Sequence, residues 1–233
     1  MLDITRSGER FHFETDWLSA YWHFSFDHYY DLKNLSFGPL RVFNNDTIQP
    51  GRGFPMHPHR DMEILTYVIK GELKHKDNTG GHGRIHAGEV QRMSAGSGIV
   101  HSEFNASQTD PCELVQIWIT PAAQGVEPSY GQRQFTLEDR AGKLLPVATG
   151  DSNGDAMRIG QDATLYVSSL RPGDDVRHAL ASGRRAYLFV IDGKPALNGE
   201  LLGRGDSVKI SDEGELRFER AGGTSELLLI DLP

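Results

Sequence analysis

Short extended segments, cut at regular intervals by Gly, Asn, Asp and Pro, recur along the whole of this 233-residue chain, and they point to an all-β fold. Segments 40–43, 63–69, 72–76, 88–93 and 114–119 are rich in β-branched and aromatic residues, and helix signals are sparse. Asp77-Asn78-Thr79-Gly80-Gly81 joins 72–76 to 84–86 as a hairpin. The stretch 121–128 is a turn-rich exit, and 132–150 reads as a connector. The pattern then restarts at 165–170, 185–192, 194–197, 199–202, 207–210, 215–219 and 227–232, with Asn198-Gly199 as a tight-turn signal. Tyr187-Leu-Phe-Val-Ile-Asp-Gly193 echoes Tyr67-Val-Ile-Lys-Gly71, and Gly205-Asp206 echoes Gly88-Glu89. Short strands at this spacing predict two similar β sandwiches or barrels, over 1–135 and 136–233.

The chemistry is concentrated in the first half. His57-Pro58-His59 is followed 42 residues after His59 by His101-Ser102-Glu103. Residues two apart on a strand share a face and lie about 6.6 Å apart along it. Two imidazoles so placed can converge on one ion, and a second strand carrying His101 and Glu103 can close the site. Three neutral nitrogens and a carboxylate suit a redox-capable transition metal better than calcium or magnesium, which prefer oxygen shells. A lone His-x-His is a weak signal, and a chain with 10 His contains chance neighbours. Here, however, each pair follows a glycine-containing turn that feeds an extended segment. Parity places Asp61, Glu63 and Glu103 on histidine faces. Glu63 lies about 13 Å beyond His59 on a straight strand, whereas Glu103 is two residues from His101 and needs no bend. Spacing therefore favours Glu103 as the acidic ligand, with Glu63 in reserve or orienting a ligand imidazole. Pro58 removes a backbone donor, which predicts a sheet edge or a break in the ladder.

Composition narrows the remaining classes. A formal charge of −8 argues against a broad phosphate-binding surface, so no direct nucleic-acid partner is expected. Cys112 is the single cysteine, which excludes an internal disulfide, and it reads as a small packed or semi-exposed residue rather than a nucleophile. Met-Leu-Asp-Ile-Thr-Arg has no signal-peptide pattern, and no apolar run approaches a membrane span. The expectation is a cytoplasmic monomer with no membrane partner. Among the other histidines, His12, His23 and His28 lie in an aromatic stretch with Trp17, Trp22 and Phe26. Packing across the barrel is the favoured reading, and a rim that stacks on a flat substrate is the alternative. His75, His82 and His86 flank a hairpin tip and are expected to be exposed. Gln116 and Trp118 share a strand face, with core packing favoured over contact with a substrate carbonyl. His178 is the sole histidine after Gln132 and is expected in a solvated loop, so the second unit is given a structural role.

Gly51-x5-His57-x-His59-x3-Glu63-x7-Gly71 resembles the first cupin motif, one residue longer than usual before Gly71. Gly88-x5-Ser94-x-Gly96, then His101-x3-Asn105, resembles the second, with Ser94 in place of proline and a longer Gly96-to-His101 interval. More narrowly, Tyr21-Trp-His-Phe-Ser-Phe26, His57-Pro-His59-Arg-Asp-Met-Glu-Ile-Leu-Thr-Tyr67, Met93-Ser-Ala-Gly-Ser-Gly-Ile-Val-His101-Ser-Glu103 and Gln116-Ile-Trp118 resemble the pirin family. The resemblance covers most of the first 135 residues and is closest to bacterial pirins with quercetin 2,3-dioxygenase activity. It implies a bicupin of two double-stranded β-helix barrels, the second degenerate and without metal ligands. It also implies one mononuclear ion held by His57, His59, His101 and Glu103. Iron is the first choice, ahead of manganese, cobalt, nickel, copper or zinc. The implied reaction opens a flavonol heterocycle with O2 and releases carbon monoxide; our own reading adds Glu103 as the catalytic base, on condition that it loosens from the metal when substrate arrives. The alternative is a metal-dependent redox-sensing regulator that binds a protein partner, flavonol cleavage being incidental.

Overall fold

The computed structural model describes residues 1–151, 154–171, 173–220 and 223–233. They form two compact units, one of Phe11–Phe135 with Ile159–Gln161, the other of Met1–Arg10, Thr136–Arg158 and Asp162–Pro233. In chain order the first strand is β1 (Leu2–Thr5), followed by β2 (Phe11–Glu14), β3 (Leu18–Trp22), β4 (Leu40–Ile48), β5 (Gly53–His59) and β6 (Glu63–Lys70). Next come β7 (Glu72–Asp77), β8 (His82–His86), β9 (Glu89–Ser94), β10 (Ile99–Asn105), β11 (Cys112–Ile119) and β12 (Ser129–Gln134). The remaining strands are β13 (Leu145–Thr149), β14 (Met157–Arg158), β15 (Thr164–Leu170), β16 (Val176–Ala179) and β17 (Arg185–Asp192), then β18 (Pro195–Leu197), β19 (Glu200–Leu201), β20 (Ser207–Ser211), β21 (Glu215–Arg220) and β22 (Ser225–Leu232). A single 3-10 turn, Ser7–Glu9, is the only helical element among the described residues. No helix is long and apolar enough to cross a membrane.

The unit of Phe11–Phe135 joins a seven-stranded sheet, β12-β9-β6-β11-β4-β3-β2, to a four-stranded one, β5-β10-β7-β8. Ile48, Val68 and Leu114 of the larger sheet meet Leu73 and Ile85 of the smaller in one apolar cluster. Ile64, Met93 and Ile99 make a second. Both sheets thus turn one face inward, as period-two strands require. β5 is the outer strand of the smaller sheet, in keeping with the missing donor of Pro58. The other unit repeats the plan, with β1-β20-β17-β22-β15-β13-β14 and β16-β21-β18-β19. The sequence echo is real: β17 holds the place of β6 and β20 that of β9 in matching sheet orders.

Five strands in particular were not legible as such. β1 pairs with β20, some two hundred residues later, and β2 and β3 carry the aromatic stretch onto the edge of the larger sheet. β12 and β13 lie inside the expected connector 132–150 or overlap it. Here pairing partners distant in sequence override weak local signals.

The matching strands of the two units differ in what they turn inward. β10 buries His101 and Glu103. β21, in the same place in its sheet, buries Leu216 and Phe218, which pack with Val176 and Leu197 in an apolar core. His178 lies on β16 rather than in a solvated loop. Its Nε2 is 2.7 Å from Asp231 Oδ2 and its side chain is mostly covered.

Candidate metal centre

β5 and β10 pair antiparallel, with His57 opposite His101 and His59 opposite Ile99. The register slips between His101 and Glu103, where Glu103 faces Phe54, so β5 carries an extra residue around Pro55 and Met56. The two histidines of β5 and the one of β10 therefore meet. One ligand atom from each of His57, His59 and His101 lies within 4.8 Å of the others, and the ring centroids are 4.4–4.8 Å apart.

The ring nitrogens are differentiated. His57 Nδ1 lies 2.7 Å from the carbonyl oxygen of Pro55, to which it donates, leaving Nε2 as a bare acceptor. His101 is 0 % exposed, and its Nε2 has no hydrogen-bond partner. A buried lone pair without a donor is costly unless something else takes it. Burial, reinforced by neighbouring histidines, pushes His59 down to about 4 and His101 down to about 3. Both are neutral at pH 7, the form that binds metals. On these grounds the residues fit a transition-metal ion.

Glu103 reaches the same place from β10. It is 2 % exposed, it forms a second close group with His75 and His101, and it lines one cavity with His57 and His59. Gln116 Nε2 donates to its Oε2 at 2.8 Å and Gln91 Nε2 to its Oε1 at 3.1 Å. The Thr66 hydroxyl in turn donates to Gln116 Oε1 at 2.8 Å, fixing the amide. Gln116 is thus committed to the carboxylate rather than packed as a bystander. Glu63 is turned elsewhere: Ser94 Oγ donates to its Oε2 at 2.7 Å and the Gly160 backbone also bonds it, with burial raising its carboxyl above the ordinary range. The residue at the usual proline position of the second motif, Ser94, is what holds it.

The cavity over these residues has a volume of about 470 Å³. Trp17, Trp22, Phe26, Phe54 and Trp118 supply apolar walls, and His59 meets the Trp118 ring edge to face at 4.8 Å. Trp22 stacks on Phe11 and Phe13, as the packing reading expects, and it also lines the cavity. His23 is buried, while His82 and His86 are exposed as expected. Cys112 is buried, and burial pushes its thiol up to about 12, so it is no nucleophile at neutral pH.

Two groups in the cavity were missed. Asn44 and Asp46, two apart on β4, both line it, and each has an Oδ1 that no protein donor reaches. Period two alone places both on one face, but the segment that reads as a strand from the sequence ends at residue 43. Burial first, then the charge of Glu103, pushes Asp46 up to about 7. Its native carboxyl keeps a proton that an unfolded aspartate gives up near about pH 4. The native state therefore holds more protons between those values, and its stability falls as pH rises through that window. Asp46→Asn is expected to leave the metal-free protein nearly unchanged at pH 4 and to stabilise it by about 2–4 kcal/mol at pH 8. Urea melts of both proteins at each pH give the comparison; equal stabilities at pH 8 would contradict it.

His75 corrects a further expectation. It is 1 % exposed, not at the surface. β7 alternates, with Leu73, His75 and Asp77 buried and Lys74 and Lys76 exposed, and that alternation was readable in the sequence. Burial alone would raise the Asp77 carboxyl, but bonds from His75, Thr79 and Gly81 outweigh it and hold it below its ordinary value.

Paired units of this kind, each a seven-stranded and a four-stranded sheet around one core, make the chain a bicupin. A family model described as Pirin matches residues 5–119, and one described as Quercetinase C-terminal cupin domain matches residues 146–232. The chain belongs to the pirin family. It is 41 % identical over 233 residues to a protein of Escherichia coli strain K12 named quercetin 2,3-dioxygenase, covering 100 % of this chain and 99 % of that one. It is 44 % identical to a pirin-like protein of Caulobacter vibrioides over 92 % of each. The crystal structure of the bacterial pirin YhhW from Escherichia coli in complex with nickel(II) superposes with a TM-score of 0.93 at 40 % identity, covering 100 % of this chain and 99 % of that one.

Proposed function

We propose that this protein is a metal-dependent dioxygenase of the quercetin 2,3-dioxygenase type. In this reading His57, His59 and His101 hold one transition-metal ion, Glu103 is the acidic ligand, and the aromatic cavity takes a flavonol. The observation that carries the proposal is the buried, unpartnered Nε2 of His101 close to the imidazoles of His57 and His59, which line that cavity. The names of the full-length relatives support the substrate class, and the nickel complex of the similar pirin supports a bound transition metal. Iron remains our first choice for the ion. When bound, such an ion supplies Lewis acidity toward a chelating hydroxyl–carbonyl pair and electron exchange with dioxygen.

The chain's own residues do the rest. Trp22, Phe26 and Trp118 present flat apolar faces that orient an aromatic substrate and keep water from it. Gln116 and Gln91 hold the Glu103 carboxylate in one orientation. Glu103 takes the proton of the flavonol 3-hydroxyl, which leaves the electron-rich enolate that dioxygen attacks. The balanced outcome is one flavonol and one O2 converted to a depside and one carbon monoxide.

Glu103→Gln keeps the shape and the oxygen ligand but removes the base. Turnover per bound ion is expected to fall by a factor of about 100 or more, with flavonol affinity changed by less than about threefold. Carbon monoxide release, normalised to metal content, measures the first and fluorescence titration without oxygen the second. Equal losses in both would remove the base role, and no carbon monoxide from the parent protein with any of the candidate ions would remove the enzyme reading.

A further inference from the structure

Behind the three histidines lies a fourth, and behind it a carboxylate. β7 pairs with β10 so that Asp77 stands opposite His101 and His75 opposite Glu103. Asp77 Oδ2 is 3.0 Å from His75 Nε2, and His75 Nδ1 is 3.5 Å from His101 Nδ1. None of the three side chains is more than 5 % exposed. The other oxygen of Asp77 accepts from Thr79 N, Thr79 Oγ1 and Gly81 N at 2.8–2.9 Å, which pins the carboxylate. Tyr130 stacks on the His75 ring at 4.5 Å and fixes its plane.

The hydrogen-bond directions follow from the one end that has no choice. A carboxylate only accepts, so His75 carries its proton on Nε2. Its Nδ1 is then bare and accepts, so His101 must donate from Nδ1. A neutral imidazole protonated on Nδ1 has its lone pair on Nε2, and His101 Nε2 is the buried atom that no protein group satisfies. The opposite polarity would bury an N–H there with no acceptor within hydrogen-bond distance.

We infer that Asp77 and His75 form a positioning relay that locks His101 in the Nδ1–H tautomer and aims its Nε2 at the metal, and so set the affinity of the site. The inference rests on the metal reading above. His75 and Asp77 are positioning residues in it, not ligands; they act through His101.

Two measurements test it. Long-range ¹H–¹⁵N correlation of imidazole nitrogens in the zinc-loaded wild-type protein reads the tautomers directly, with no substitution. The expected pattern is a proton on His75 Nε2 and on His101 Nδ1; a proton on His101 Nε2 overturns the relay. Nickel(II) titration against a competing chelator then compares wild type, His75→Leu and His75→Gln. Leu cannot accept from His101, whereas Gln offers Oε1 to His101 and Nε2 to Asp77. His75→Leu is expected to weaken nickel binding about 10–100-fold at an unchanged one ion per chain, and His75→Gln to recover most of it. Wild-type affinity in a folded His75→Leu protein overturns the relay, as does a drop from two ions to one, which would make His75 a ligand itself. If His75→Leu does not fold, wild-type affinity in His75→Gln together with the expected tautomers supports the relay, and loss of the ion from His75→Gln overturns it. Failure of the metal reading is separate: His101→Ala would then bind nickel as wild type does.

Discussion

The double variant His57→Ala, His59→Ala is expected to lose its bound ion and all carbon monoxide release while keeping its fold. Both side chains sit on β5, an outer strand, and both are only partly buried. Truncating them opens little of the core, so the cost in stability is small compared with that of a fully buried pair. What is lost is two of the three nitrogen donors that converge on one place. Removing a partner that merely orients a ligand costs 10–100-fold in affinity, and removing two donors costs at least about a hundredfold for each, by extension of that figure. Thermal melts provide an internal control. An ion that binds only the native state at about 100 times its Kd adds about 2.7 kcal/mol. Adding nickel(II) should therefore raise the Tm of the wild type and leave that of the double variant unmoved. A double variant that retained one ion per chain would place the metal elsewhere.

Gly53→Ala is expected to damage the same site without touching any of its histidines. Gly53 begins β5 and lies against β10, with Phe104 as its register partner. A Cβ on Gly53 would run into the carbonyl oxygen of Glu103 and the Cα of Phe104, both backbone atoms that cannot rotate away. The strands would have to separate at the end of the pairing that sets His57 opposite His101. The expected result is a loss of about 1–3 kcal/mol in stability, as for other overpacked positions, together with weaker nickel binding. Gly131→Ala is the matched control. Gly131 is also on a strand, β12, but an added Cβ there meets only Arg92 Nη2 at 3.8 Å, an ordinary contact. If Gly53→Ala behaved like Gly131→Ala in melts and in metal titration, close approach of β5 to β10 would not be what holds the histidines together.

The two substitutions divide the problem between residue chemistry and strand register. Local pattern carried a good deal. The strand at 185–192 is observed as Arg185–Asp192, and 63–69 and 72–76 each extend by a single residue. Segments 63–69 and 185–192 are near-continuous apolar runs that end at glycine, and 72–76 alternates up to a polar turn, so their extent is written locally. β1 is short and depends on a partner some two hundred residues away, so a window of neighbours could not reveal it. The buried pair His75 and Asp77 was readable by the same alternation, since Leu73 shares their face. Proximity to a polar hairpin tip argued the other way and prevailed. Asn44 and Asp46 gave no such signal, because polar side chains on a central strand gain meaning only from the cavity they face.

By itself the sequence determined an all-β chain in two echoing halves, with its imidazole and carboxylate chemistry confined to the first. It also determined parity, because side chains on a strand alternate with period two: His57 with His59, and His101 with Glu103. Only the tertiary structure decided what those faces meet. The register of β5 on β10 and the extra residue near Pro55 bring three imidazoles together. The register of β7 on β10 sets His75 behind His101, and Ser94 draws Glu63 away. The physical reason is the range of the forces involved. Alternation and turn chemistry act between residues a few positions apart. Register between strands is settled by close packing and hydrogen bonding of segments that lie tens of residues apart in the chain.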